Sequence, residues 1–468
     1  MNDGGHPTGA CPGPPASGSV HDFVTRLGTV KIWAGDPSFE RLARRAGVPR
    51  STLADALNVN RSRPPALDVV RRFVRSCGAD DRVVSAWEAA WRQLDRPSRT
   101  ASPATRPGGE PARSGPALLP ADVADFVGRD KQVAELVGKF RAADDRFDPT
   151  APVVAVVTGR GGVGKTALAV RVAHRLVGDF PDGQLYVNLR DADGGFADPT
   201  RVLGRFLRVL GLDGSVIPAG LEERAELFRT VLADRRMLVV LDNAGSAAQI
   251  RPLLPGSPSC GVLVTSRARL AELPGAYRLY LDVLELEEAV ALLAAVVGAE
   301  RTTAEPDAAQ EIVRLCGHLP LAVRIAAARL ANRPHRPLAW LANRLADRRR
   351  LLNELAIGDL DVRGSLALSY QALPAEAARA IRLLAWLDAP DFAAWIAAPL
   401  LDVELDDAEE LVDSLADAYL LDPVGTDATG RVRYRLHDLV RLYARERSEA
   451  TDPEPERQAA LTRQAIQL

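Results

Sequence analysis

"GRGGVGKTAL" (159–168) decides the fold. Gly159, Arg160, Gly161, Gly162, Val163, Gly164, Lys165 and Thr166 fill every position of the pattern G-x-x-x-x-G-K-[S/T]. The apolar stretch "PVVAVVTG" (152–159) runs into it as a strand, and a helix is expected to start near Gly164. In that setting glycines let backbone N–H groups turn toward phosphate oxygens, and the helix N-terminus adds positive partial charge. Lys165 would reach the β- and γ-phosphates, and the Thr166 hydroxyl would coordinate Mg²⁺. Of 59 basic residues only four are lysines: Lys31, Lys131, Lys139 and Lys165. A chain that otherwise writes arginine keeps a compact ammonium at Lys165.

Outward from the loop, short apolar runs alternate with helical patterns. "GQLYVNLR" (183–190), "RRMLVVLDNA" (235–244) and "CGVLVTSR" (260–267) read as further buried strands. Between them, "RVLGRFLRVLGL" and "LEERAELFRTVLA" have helical spacing. The expected fold is an α/β P-loop NTPase with a parallel sheet over about 121–280. Asp242 would emerge at the end of its strand, where it can hold Mg²⁺ through water. Asn243 follows it, and an amide cannot take a proton from an attacking water. A missing general base costs ~10²–10⁴ in rate, so any ATP turnover is expected to be slow, well below about one per second.

After 280 the strands fade. "LEEAVALLAAVV", "AAQEIVRLC" and "PLAVRIAAARLANR" predict a helical subdomain over 281–358. A second small helical unit follows at 359–446, with a hairpin around "GTDATG". Residues 447–468 are expected to form one polar helix or a tail. Upstream, 97–120 is rich in Pro, Ala, Gly, Ser and Arg and reads as a flexible linker; 1–20 reads as a disordered tail without the marks of a secretion signal.

The net charge of −2 gives no whole-chain reason to expect nucleic acid or membrane. No apolar run approaches the ~18 residues of a membrane span. The four cysteines lie far apart without a CxxC pair, which argues against zinc or a disulfide framework and fits a reducing cytoplasm. Charge is uneven, however. Residues 21–96 hold fourteen Arg/Lys against nine Asp/Glu, or +5. Within them "SFERLARRAGVPRSTLADALN" (38–58) has helix-turn-helix spacing, with Ala43 at the crossing, Gly47 at the turn, and Leu42, Ala46, Val48 and Leu53 facing inward. Ser51 is expected to cap the second helix. This all-α segment resembles the phage-repressor-like helix-turn-helix domains. Arg50, Ser51, Thr52, Asn58 and Arg61 are its candidate DNA contacts, with Asn60 beside them and Asp55 opposing. A small helical bundle that recruits a protein effector is the alternative.

Six motifs now stand in order: "DFVGRD" (125–130), "GRGGVGKT", "LVVLDNA", "VLVTSR" (262–267), "GHLPLAV" (317–323) and "YRLHDLVRLYARE" (434–446). In order and spacing this series resembles the NB-ARC proteins, signal-transduction ATPases of the STAND class that include actinobacterial regulators. The resemblance covers about 120–446. It implies that 281–358 is the first helical subdomain and 359–446 a winged helix. It also implies that Val127, Gly128 and Arg129 line the adenine end, that Arg267 is a sensor able to reach a γ-phosphate, and that Pro320 packs on the adenine. His437 would reach the β-phosphate of ADP, with Leu436 where the family usually has Met. Together with Gly159, Gly161, Gly162, Val163, Gly164, Lys165, Thr166 and Ala167, these are the candidate contacts to ADP or ATP. The resemblance further implies a switch that rests with ADP and self-associates on activation.

Overall fold

The computed structural model describes residues 11–14, 20–57, 65–94, 115–142, 150–191 and 194–466. Contacts divide the chain into two units, Met1–Glu110 and Pro111–Leu468.

The first unit is helical: α1 (Val20–Trp33), α2 (Phe39–Ala46), α3 (Arg50–Ala56), α4 (Leu67–Ser76) and α5 (Asp81–Leu94). Phe23, Leu27, Leu42, Leu53, Phe73 and Trp87 are fully buried among them. Phe23 meets Trp87 edge-on at 5.0 Å. Gly47 ends α2 in the left-handed region at φ 62°, and its N–H bonds the Ala43 carbonyl, which turns the chain into α3. Ser38 caps α2 by accepting from the Arg41 N–H. The expectation that Ser51 caps the following helix is corrected. α3 already starts at Arg50, and the Leu53 N–H bonds the Pro49 carbonyl. Pro49 fits the position before a helix because an N–H there would have no helical partner.

The second unit is built on a five-stranded sheet: β1 (Val153–Thr158), β2 (Gln184–Asn188), β3 (Leu238–Ala244), β4 (Gly261–Ser266) and β5 (Tyr277–Tyr280). Its order is β2-β3-β4-β1-β5, and every pairing is parallel. β4 is buried at every position and β3 at all but Asn243, so both read as continuous apolar runs rather than alternating ones. One face is covered around Phe206 and Phe228, stacked at 5.9 Å. The other face belongs to an apolar cluster that continues through Leu168, Ile325 and Leu384 to Val440. The helices after the sheet therefore share its core instead of standing apart from it.

Those helices run from Leu286–Val297 to Leu351–Glu354 and pass through a short hairpin, β6 (Ala356–Ile357) and β7 (Leu360–Asp361). Next come the helices Val362–Tyr370, Ala375–Leu384, Ala394–Leu401 and Leu405–Asp417. They enclose a small antiparallel sheet of β8 (Phe392–Ala393), β9 (Asp422–Thr426) and β10 (Val432–Arg435), ordered β8-β10-β9. The hairpin expected around "GTDATG" is β9–β10.

Three boundaries shift. Within the stretch expected as a tail, the Pro12 carbonyl accepts from Trp87 Nε1 at 3.2 Å and Val20 already begins α1. The stretch 116–119 is not linker: the Leu118 N–H donates to the Gln184 carbonyl, and the Gln184 N–H donates to the Pro116 carbonyl. An edge strand leaves such groups unpaired, and β2 recruits the incoming chain to satisfy them. The rest of the expected linker, to residue 114, lies outside the described residues. The boundary at 446 falls inside the helix Asp438–Thr451. The next helix, Glu454–Ile466, buries Ala460 and packs on Ala394–Leu401 through Arg463, which donates to the Pro399 carbonyl. Among the described residues no helix is long and apolar enough to cross a membrane.

Candidate nucleotide-binding site

The loop after β1 is shaped by what cannot have a side chain. A Cβ on Gly161 would lie 2.7 Å from Ser365 Oγ and 2.8 Å from an Arg267 guanidinium nitrogen. Gly162 and Gly164 take φ of 81° and 95°, where other residues are strained. The loop then delivers the N-terminus of the helix Lys165–Arg175. Lys165 is buried, and its Nζ donates to the carbonyls of Gly159 and Arg160, both at 2.7 Å. Burial, reinforced by the nearby Arg267 charge, pushes the ammonium down to about 7. An ammonium so placed gains from an arriving anion.

Asp242 holds the other end. Its Oδ1 accepts from Thr166 Oγ1 at 2.8 Å and Thr265 Oγ1 at 2.5 Å. Its Oδ2 accepts from the Tyr186 hydroxyl at 3.0 Å and Asn243 Nδ2 at 3.1 Å. Asn243 sits at φ 58°, and its amide also reaches Asn188 Oδ1 at 3.2 Å. Tyr186 and Asn188 carry no motif of their own, and Thr265 sits within "VLVTSR" without being marked as a partner of Asp242; they matter through parallel register, Asn188 being the β2 partner of Asp242.

A cavity of about 560 Å³ opens over this cradle. Val127, Arg129, Gly162, Val163, Gly164, Lys165, Thr166, Ala167, Arg267 and Pro320 line it. Gly128 does not; it packs against the Glu288 side chain, 3.0 Å from where a Cβ would sit. Gly159 and Gly161 shape the loop without lining the cavity. Arg129 is anchored by its guanidinium to the Asp282 carbonyl. Pro320 begins the helix Pro320–Ala331, and the next residue ties that helix to the loop: the Leu321 N–H donates to the Gly162 carbonyl at 3.1 Å. Arg324, which also lines the cavity, pairs with Asp125 at 2.8 Å.

Arg267 does not point freely into the cavity. Its guanidinium donates to the Ser365 carbonyl at 2.6 Å and Ser369 Oγ at 3.2 Å, both on the helix Val362–Tyr370. Its Nε is buried without a hydrogen-bond partner. Burial, with Arg190 nearby, pulls its pKa down to about 10.

His437 lies beside the loop but outside this cavity. Its Nδ1 accepts from the Leu439 N–H at 3.2 Å and thereby caps the helix Asp438–Thr451. The neutral ring therefore carries its proton on Nε2, which donates to the Gly317 carbonyl at 2.9 Å. Burial, with the Arg160 charge facing it, holds the imidazole down at about 4.

The residues fit a nucleotide and its metal. Thr166 and Asp242 offer hard oxygens of the kind Mg²⁺ prefers. Lys165 and the unsatisfied Arg267 Nε supply cationic donors with only neutral protein oxygens to bond. Over residues 129–303 the chain matches the family model of the NB-ARC domain. This is an NB-ARC domain. Its P-loop fold is one that binds nucleotides.

The chain is similar to the regulatory protein AfsR of Streptomyces griseus, with 48% identity over 397 residues, covering 85% of this chain and 40% of that protein. AfsR of Streptomyces coelicolor is 50% identical over 353 residues, covering 74% and 35%. The chain thus spans well under half the length of these relatives. The solved structure of a STAND protein with a tetratricopeptide repeat sensor from Pyrococcus horikoshii aligns over 74% of this chain and 45% of its own, at 19% identity and a TM-score of 0.33.

Of the residues proposed to touch DNA, Arg50 and Thr52 are exposed on α3. Ser51 lies in its first turn. Asn58, Asn60 and Arg61 fall outside the described residues.

Proposed function

We propose that the NB-ARC domain is an ADP/ATP switch and that its output is transcriptional control through the N-terminal helix-turn-helix unit. One observation carries the reading. The phosphate loop is gripped from three sides: by β1 behind it, by the helix Pro320–Ala331 through Leu321, and by the winged-helix region through Arg160–Asp422, while Arg267 at the end of β4 ties the neighbouring edge of the cavity to Ser365. A ligand in the cradle is thereby coupled to the placement of both later subdomains.

In this reading Lys165 and the loop N–H groups hold phosphates, while Thr166 and Asp242 hold Mg²⁺, which neutralises phosphate charge. Val127 and Pro320 flank the adenine. With ADP, Arg267 keeps its bonds to Ser365 and Ser369 and the winged helix stays docked. A γ-phosphate offers the Arg267 guanidinium, whose Nε is unpartnered, a charged acceptor, and turning toward it competes with the bonds to Ser365 and Ser369 and loosens that helix. The switch works only through this difference in affinity between states; inverting a 99:1 population needs ~5.5 kcal/mol. The released form would self-associate. Asn243 is already committed to Asp242 and Asn188 and supplies no base, so turnover stays below about one per second.

The similarity to proteins named as regulators, and the basic helix-turn-helix unit, support DNA as the output. Denaturing the purified chain and chromatographing the released nucleotide should yield ADP; protein free of adenine nucleotide would contradict the resting state. DNA binding should weaken steeply with salt. Salt-independent binding, or none, would leave the N-terminal unit as a protein-recruiting bundle.

A further inference from the structure

The phosphate loop has a second side. Arg160, one residue into the motif, is almost wholly buried, with 3% of its side chain exposed. It lines a different cavity, of about 810 Å³, that shares only Leu284 with the nucleotide cavity. All three subdomains wall it: Arg160 from the loop, Arg314 and His318 from the helical region, Tyr419, Asp422 and Arg435 from the winged helix. The volume suits a small-molecule site.

The chemistry of Arg160 is incomplete. One terminal nitrogen pairs with Asp422 on β9, and the Tyr280 hydroxyl at the end of β5 interacts with the same guanidinium. Its Nε and its other terminal nitrogen are buried and have no hydrogen-bond partner. A guanidinium presents its donors as a planar fork that matches a carboxylate or phosphate bidentately, and a buried edge without such a partner is unfavourable. The backbone of the same residue faces the nucleotide side, since the Arg160 carbonyl accepts from Lys165 Nζ at 2.7 Å. Arg160 thus links the two: its carbonyl braces Lys165, which lines the nucleotide cavity, and its guanidinium lines the second cavity.

We propose that this second cavity is an effector site for a small oxyanion-bearing molecule, a carboxylate or phosphomonoester, which binds Arg160 in place of Asp422 and so frees the winged helix from the phosphate loop. Once Arg160 is taken, Asp422 is left as a half-buried carboxylate without its cation, and the docked arrangement weakens. The Tyr419 hydroxyl bond to Thr158 Oγ1 at 2.7 Å, the Tyr280–Tyr419 stack, the pair Arg269–Asp417 at 2.9 Å and the Arg267 bonds to Ser365 and Ser369 then remain among the contacts between the sheet and the winged helix. The inference rests on the nucleotide-switch reading, and the two are separable in one experiment.

The full chain is loaded with a fluorescent ADP, and its release is followed by stopped flow while succinate or glycerol 3-phosphate is titrated to 20 mM. Retention of the fluorescent ADP tests the switch reading; the response to the probe tests the effector site. Saturable acceleration of release, about fivefold or more, by one probe is expected in the native chain and should be absent in Arg160→Gln. Which probe works distinguishes a carboxylate from a phosphate source. Asp422→Asn should release ADP about fivefold faster with no probe and respond less than twofold to either. Release unchanged by both probes in the native chain, acceleration that persists in Arg160→Gln, or native-like release from Asp422→Asn would each overturn the proposal.

Discussion

Lys165 and Arg160 are two buried cations of one loop, and they are held in opposite ways. Lys165 is satisfied by two carbonyls of its own loop, so its environment is local and leaves room for an incoming anion. Arg160 meets a carboxylate 262 residues away with one terminal nitrogen and leaves its Nε and the other terminal nitrogen without a partner, so part of its environment belongs to a distant segment of the chain. Side by side they teach that a nucleotide cradle can be complete in its chemistry and still depend on a remote partner for its other face. Mutation and pH can strike either face separately.

The largest effect is expected on the face away from the nucleotide. His437 is held at about 4, below the usual His range, by burial and by Arg160. Between pH 6.5 and 4 the unfolded chain binds a proton there that the folded chain does not, so stability falls as pH falls through that window and is intact above it. The loss reaches about 3 kcal/mol by pH 4. Denaturant unfolding at pH 6.5 and 4.5 should show about 2 kcal/mol of it, and His437→Gln should flatten the difference. An equal pH response in that variant would assign the effect elsewhere.

On the nucleotide face, Lys165→Ala removes a charge-assisted bond to phosphate and should weaken ADP binding roughly 10–100-fold, as read by calorimetry. Native affinity in that variant would show that the loop is not the binding element. A gentler probe leaves Lys165 in place. With its pKa near 7, phosphate binding above that pH requires proton uptake, so affinity falls as pH rises, by about eightfold from pH 7.5 to 8.5. Affinity independent of pH over this range would mean that the ammonium is already charged without ligand. The smallest effect belongs to Tyr419→Phe, which deletes the bond to Thr158 and should speed ADP release about fivefold.

Much of the nucleotide face was legible because its determinants are contiguous. The glycines, Lys165 and Thr166 sit in one octapeptide, and their chemistry follows from local backbone geometry. Asp242 could be placed because a buried strand announces its own end. The other face was illegible for the converse reason. Nothing in "LLDPVG" marks Asp422 as the partner of Arg160, and nothing near Ser365 marks it as the acceptor for Arg267; both pairings exist only after long-range docking. The motif series placed His437 near the site, but sequence could not say which of its nitrogens would point where. The stretch 116–119 looked like linker because pairing at a sheet edge depends on unpaired backbone groups rather than on side chains. Ser51 looked like a cap because residue preference is averaged over helices, whereas here the turn at Gly47 sets where α3 begins.

The imidazole of His437 fastens to its own helix with one nitrogen and to the Gly317 turn with the other. If the two parts separate, only the second fastening breaks. The first keeps the opening turn of Asp438–Thr451 wound, so the region that swings away would travel as a finished solid piece and could snap back onto Gly317 without refolding.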